Sequence, residues 1–161
     1  MKNKLFYLLI IIIAVGSLGL IISGRINDTS NGKAPHSEPK AMLIGSRENS
    51  KQILVEFAET EQERERGLSD RESISDNFGL LFRFEEPGFY LFWMKDMNFP
   101  IDIVWLDSDY KIVDITEELD PKTYPNTVTS KEKAQFILEL KAGFVKENTI
   151  KEGDFLIPAD K

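Results

Sequence analysis

The chain has 161 residues, 42% of them hydrophobic and 11% aromatic, enough for one domain with a proper core and an additional tail or anchor. It has no cysteine and one histidine, His36, which excludes disulfides, thiolate catalysis, Cys-based zinc sites and His-built triads or metal clusters in the folded part. Formal net charge is −7; with Lys2 and Lys4 set aside, the chain beyond residue 24 carries 18 basic and 27 acidic side chains, a net −9 that repels nucleic acid and anionic lipid.

Lys2 and Lys4 precede an uncharged apolar run over residues 5–22. As a helix it spans roughly 27 Å, close to a bilayer core. The positive flank predicts a cytoplasmic amino terminus and a domain outside the membrane. The alternative is a signal peptide cut after Ser17 and Gly19, giving a secreted or periplasmic domain. Residues 25–40 are Ser, Asn, Gly, Pro and charge, a flexible tether with a reach of roughly 20–25 Å. The domain proper is expected over residues 41–161.

Within it, residues 41–45 read as an edge strand and residues 53–57 as a clearer strand with Ile53, Val55 and Phe57 on one face. Thr60 and Glu63 form a capping box for a short helix over residues 61–66, closed by Gly67. Residues 80–84 form a strand, and Glu86-Pro87-Gly88 turns into residues 89–106, FYLFWMKDMNFPIDIVWL. This stretch holds both tryptophans and reads as strand, tight connection over residues 96–100, strand. Asp107-Ser108-Asp109 turns into a strand over residues 111–116; as a DxD pair it is a weak cation motif and reads as a turn. Residues 117–130 form a long loop with Pro121 and Pro125. A strand over residues 134–140, a short helix or turn to Asn148 and a last strand over residues 155–157 follow.

The fold class is α+β and mainly antiparallel: six or seven short strands in a partly closed, barrel-like sheet, with one or two short helices, after an N-terminal transmembrane helix. Most connections are too short for parallel crossovers.

Four strands each carry one charge out of phase with their apolar residues: Glu56, Arg83, Asp102 and Glu139. Strand alternation allows all four to share one face. Their same-side neighbours Leu54, Leu81, Val104 and Ile137 are apolar, so that face is at least partly covered, and a covered carboxylate calls for a partner such as Arg71 or Arg83. The outcomes are a solvated face, an ion-pair network, or a polar pocket floored by Trp93. Trp93, Met94 and Lys95 end a strand beside a loop, where an aromatic can stack on a sugar or peptide. Met94 and Met97 alone make no copper site, and no cofactor or metal is expected.

VEFAETEQERERGLSDRE, GLLF, FWMKDMNFPIDIVWLD, FILELKAG and IKEGD together resemble the uncharacterised bacterial and archaeal family labelled domain of unknown function 192, from about Ile53 to Ile157. The FWM–PID block is the specific part. Ser69 stands where the family usually has methionine, and Leu80 replaces the methionine of its Met-Leu-Phe version. The resemblance implies a small, mainly β fold, often behind a signal peptide or anchor; it implies no established activity, and no catalytic role is carried over. Carried residue by residue, its signature polar positions are Glu56, Arg71, Lys95, Asp102, Glu139 and Asp154, with Trp93 and Pro100.

The favoured reading is a membrane-tethered binding module with a small pocket near Trp93, Asp102 and Arg71, its partner an unknown ligand or envelope protein. Candidate binding residues are Glu56, Arg71, Trp93, Lys95, Asp102 and Glu139. A hydrolase pairing Asp102 with Glu56 or Glu139 as acid and base on an envelope glycan is one alternative. A scaffold without a concave pocket is the other.

Overall fold

The computed structural model describes residues 37–159. The apolar run and most of the tether expected from sequence lie outside the described residues. Among the described residues no helix is long and apolar enough to cross a membrane.

The strands are β1 (Lys40–Gly45), β2 (Ser50–Ala58), β3 (Phe78–Gly88), β4 (Phe92–Trp93), β5 (Ile101–Leu106), β6 (Ile112–Leu119), β7 (Thr127–Val128), β8 (Ala134–Lys141) and β9 (Phe155–Pro158). The helices are α1 (Glu61–Arg66) and α2 (Phe144–Glu147), with a 3-10 turn at Pro121–Thr123. Seven strands form one sheet in the order β6-β5-β8-β3-β2-β1-β9, while β4 and β7 pair separately. The outer strands approach each other: Lys111 bridges Phe155, and Ile112 N–H donates to the Asp154 carbonyl at 2.8 Å. The sheet is thus partly closed, as the strand count and turn spacing predict.

One pairing departs from that expectation. β2 and β3 run parallel, with Glu56 opposite Leu80. The connection over residues 59–77 contains α1 and is long enough for a crossover, whereas the other neighbours in the main sheet are antiparallel. α1 itself forms for local reasons. Glu63 N–H donates to Thr60 Oγ1 at 3.2 Å and Thr60 N–H donates to Glu63 Oε2 at 2.9 Å, which satisfies two otherwise orphaned donors.

Both sheet faces are covered, so β5 is buried along its whole length and is apolar at every position but Asp102. The inner cluster includes Ile44, Ile53, Val55, Leu81, Val104, Leu138 and Leu156, with Phe144 and Val145 of α2 against it. The outer cluster includes Leu80, Phe82, Ile103, Trp105 and Ile137. Leu68 and Ile74 from the crossover and Phe92 and Met94 from the central stretch lie over it.

Candidate functional site

The crossover and the central stretch are fastened together by three hydrogen bonds. Ser69 Oγ donates to the Lys95 carbonyl, Asp70 N–H to the Asp96 carbonyl, and Asn98 Nδ2 to the Arg71 carbonyl, each at 2.9 Å. Asp70 and Asp96 both have left-handed backbones, at φ 62° and 56°. Asp tolerates that region better than most residues, which explains its presence at both turns.

Between these segments and β3 lies a cleft of about 350 Å³. Phe82, Phe84, Tyr90, Phe92 and Trp93 line it, and Glu139 is part of its lining. Phe82 and Phe92 meet edge to face with centroids 4.8 Å apart, while Phe84 and Tyr90 stack at 3.6 Å. Trp93 is 51% exposed although it is a large aromatic. Glu61, Arg64, Glu65 and Arg66 of α1 also line it.

Glu139 sits on β8 between Leu80 and Ile103, in the middle of the sheet. It is 5% exposed, and its Oε2 is buried without a hydrogen-bond partner. Such an atom costs free energy unless something outside the described residues satisfies it. Burial pushes the Glu139 carboxyl up to about 8, against the opposing pull of the Arg71 charge. Near neutral pH it is therefore mostly an uncharged acid. Gly67 borders it: a Cβ there would lie in ordinary contact 3.6 Å from Oε2 and in tight contact 3.3 Å from Phe82 Cζ.

The four out-of-phase charges do not share one face. Glu56 and Glu139 lie on the outer side, both opposite Leu80. Asp102 pairs with Leu140 and Arg83 with Phe136, on the inner-cluster phase of the sheet. Each strand's phase is set by its register, and β5 shifts register against β6 around Asp102.

Glu56 accepts from Arg71 Nη2 at 2.6 Å, and the same guanidinium lies over the Phe78 ring at 5.1 Å. Arg83 pairs instead with Glu59 at 2.7 Å. Asp102 is fully buried and takes no arginine. Its Oδ1 accepts Glu118 N–H at 2.8 Å and its Oδ2 accepts Val145 N–H at 3.0 Å. Gly143 gives α2 no side-chain cap, so Asp102 caps that helix from another strand. With a backbone donor on each oxygen, Asp102 lies on the other side of the sheet from Glu56 and Glu139. The pairings of Asp102 with Glu56 or Glu139 in the hydrolase alternative are therefore not assembled. Lys95 is exposed and does not line the cleft.

Gly67, Phe82, Phe84 and Tyr90 line the cleft, a role that the sequence alone does not assign to them. The available signal was the aromatic density of residues 82–93 and the helix-ending Gly67.

A family model described as DUF192, Uncharacterized ACR, matches residues 43–157. A crystal structure of a candidate transcription regulator from Sinorhizobium meliloti 1021 is similar to this chain with a TM-score of 0.74 and 29% identity. It covers 81% of this chain and 100% of its own. A protein of unknown function from Novosphingobium aromaticivorans DSM 12444 shares the fold with a TM-score of 0.67 at 20% identity, over 78% of this chain and 99% of its own. No curated protein matches the sequence.

Proposed function

The chain belongs to the DUF192 family, and we propose that in this member the domain is a binding module whose ligand site is the cleft beside Trp93. The observation that carries this reading is the Glu139 carboxyl, buried with an unpartnered oxygen in the lining of an aromatic cleft. A concave site with aromatic walls and a few placed polar groups is the usual form of a small-ligand pocket, and here Glu139 is the buried one. The exposed Trp93 ring supplies a stacking surface at the same place. A scaffold alone gives no reason for either feature.

The lysines before the apolar run support a domain held outside the cytoplasmic membrane, facing envelope solutes and proteins. The Sinorhizobium protein's description does not lead us to a nucleic-acid role here, because the net −9 beyond residue 24 opposes a phosphate backbone.

The test is a thermal-shift screen of the full-length protein against envelope sugars, short peptides and small solutes. A ligand binding only the folded state raises the midpoint, by about 2.7 kcal/mol of stability at a hundredfold excess over its Kd. The reading expects hits that Trp93→Ala and Glu139→Gln remove. Hits indifferent to both variants, or a screen without hits, would set it aside.

A further inference from the structure

The polar groups around the cleft differ in how far they are already engaged. The Tyr90 hydroxyl donates to the Glu86 carbonyl at 2.5 Å. The Arg64 guanidinium donates to the Glu59 and Arg83 carbonyls and lies 5.0 Å from the Phe84 centroid. Arg71, which does not line the cleft, is held by Glu56. Glu61 and Glu65 are exposed to solvent, whereas Glu139 Oε2 is buried and unpartnered.

What would satisfy it follows from its surroundings. The neighbouring walls are the rings of Phe82, Phe84, Tyr90, Phe92 and Trp93. Aromatic faces attract cations, and the attraction grows as water is excluded. Arg64 over Phe84 shows one ring of this wall already holding a cation. In the lining, Glu61 and Glu65 offset Arg64 and Arg66, so an ionised Glu139 leaves it with one net negative charge. The acidic domain attracts cations from solution.

We propose that the cleft takes the ammonium end of an alkylamine, with Glu139 as its counter-ion and Trp93 and Tyr90 as its aromatic walls. This rests on reading the cleft as the ligand site and names the ligand's class. The charged groups around Glu139 are Arg71 from the crossover and Arg64, Arg66, Glu61 and Glu65 from α1; its sheet neighbours Leu80 and Ile103 are apolar. In the empty cleft the acid is protonated near neutral pH. Entry of R–NH3+ converts the COOH to COO− and releases one proton to solvent, so charge and atoms balance. Affinity then rises with pH until Glu139 is ionised without ligand.

The experiment is calorimetric titration of the full-length protein with n-butylammonium chloride between pH 6 and pH 9, with n-butanol as the uncharged probe. Amide shifts of Gly67 and Trp93 locate the binding. Expected is an affinity for butylammonium that rises about tenfold per pH unit up to about pH 8, with proton release falling to near zero above it. Glu139→Gln abolishes the pH dependence and weakens binding at pH 9 about tenfold or more. Trp93→Ala weakens binding with the pH dependence intact.

Butanol binding at the cleft as tightly as butylammonium overturns the cation assignment while the cleft stands as a site. Butylammonium binding that ignores Glu139→Gln, or that shifts neither Gly67 nor Trp93, also overturns it. Absence of binding by either probe overturns it too; the cleft as a ligand site then falls only if the broader screen is also indifferent to Trp93→Ala.

Discussion

Glu56 and Glu139 flank Leu80 on neighbouring strands of one sheet face, yet among the described residues only Glu56 has a cation at bonding distance, Arg71 Nη2 at 2.6 Å. The same guanidinium opposes the effect of burial on Glu139 without bonding to it. One arginine thus neutralises one carboxylate and leaves the other protonated.

Arg71→Ala removes the partner of a carboxylate that is only 18% exposed, together with the stack on Phe78. The expected cost is about 2 kcal/mol in urea denaturation near neutral pH, the range for a charge-assisted bond in a partly covered site. Glu56→Gln in the same background should recover part of the loss, because the stranded charge is then gone. A double-mutant cycle showing no coupling between the two positions would contradict the pairing.

Glu139 makes stability depend on pH in a definite direction. Its folded-state value of about 8 lies above the ordinary glutamate value of 4.5, so the folded protein binds the proton more tightly than the unfolded chain. Stability from this group is complete below about pH 4.5 and is lost as pH rises through about 8. The slope across that window is on the order of 1 kcal/mol per pH unit. Denaturation midpoints at pH 5, 6.5, 8 and 9 should therefore fall for the wild type more steeply than for Glu139→Gln. Parallel curves would mean that the carboxyl is already ionised.

Asp102 is the contrasting carboxylate. An asparagine in its place keeps one acceptor oxygen but turns an NH2 toward either Glu118 N–H or Val145 N–H. Asp102→Asn should cost about 2 to 3 kcal/mol, since a buried donor is left facing another donor. It should leave ligand capture at the cleft intact once the protein is folded, because Asp102 does not line that cleft. Loss of binding in a folded Asp102→Asn protein would argue that the two sheet faces communicate.

The parts of this fold legible in the sequence are those specified by neighbours in the chain. Thr60, Glu63 and Gly67 define α1 because a capping box and a helix stop are local chemistry. Strand alternation places Ile53, Val55 and Phe57 together for the same reason. The parallel β2–β3 pair, the small β4–β7 sheet and the opposite phases of Asp102 and Glu139 depend on contacts between distant segments. Alternation fixes which residues of a strand share a face but not which face that is, so Asp102 and Glu139 looked equivalent. The charge of Asp102 in an apolar run did signal a constraint. Its partners turned out to be backbone N–H groups, which every residue except proline carries and no sequence motif marks.

A side chain at Gly67 should be strained. Its backbone has φ 50° and ψ −131°, and a Cβ would come within 3.3 Å of the Phe82 ring. Gly67→Ala is expected to cost about 1 to 2 kcal/mol from the backbone alone. It should also weaken any ligand of the cleft, because the added methyl group approaches Glu139 Oε2. Thermal melting with and without a cleft ligand separates the two effects.

The two tryptophans should respond in opposite ways to truncation. Trp105 is fully buried, its Nε1 donates to Thr116 Oγ1 at 3.2 Å, and its ring meets Phe92 edge to face at 5.4 Å. Trp105→Ala empties a large core position and should cost about 3 to 5 kcal/mol. Trp93 is 51% exposed, so Trp93→Ala should change stability by no more than about 0.5 kcal/mol. A large aromatic kept at the surface without a stability role is what a contact residue looks like. If urea denaturation instead showed Trp93→Ala to be as damaging as Trp105→Ala, the ring would belong to the core and the binding reading would lose its stacking surface.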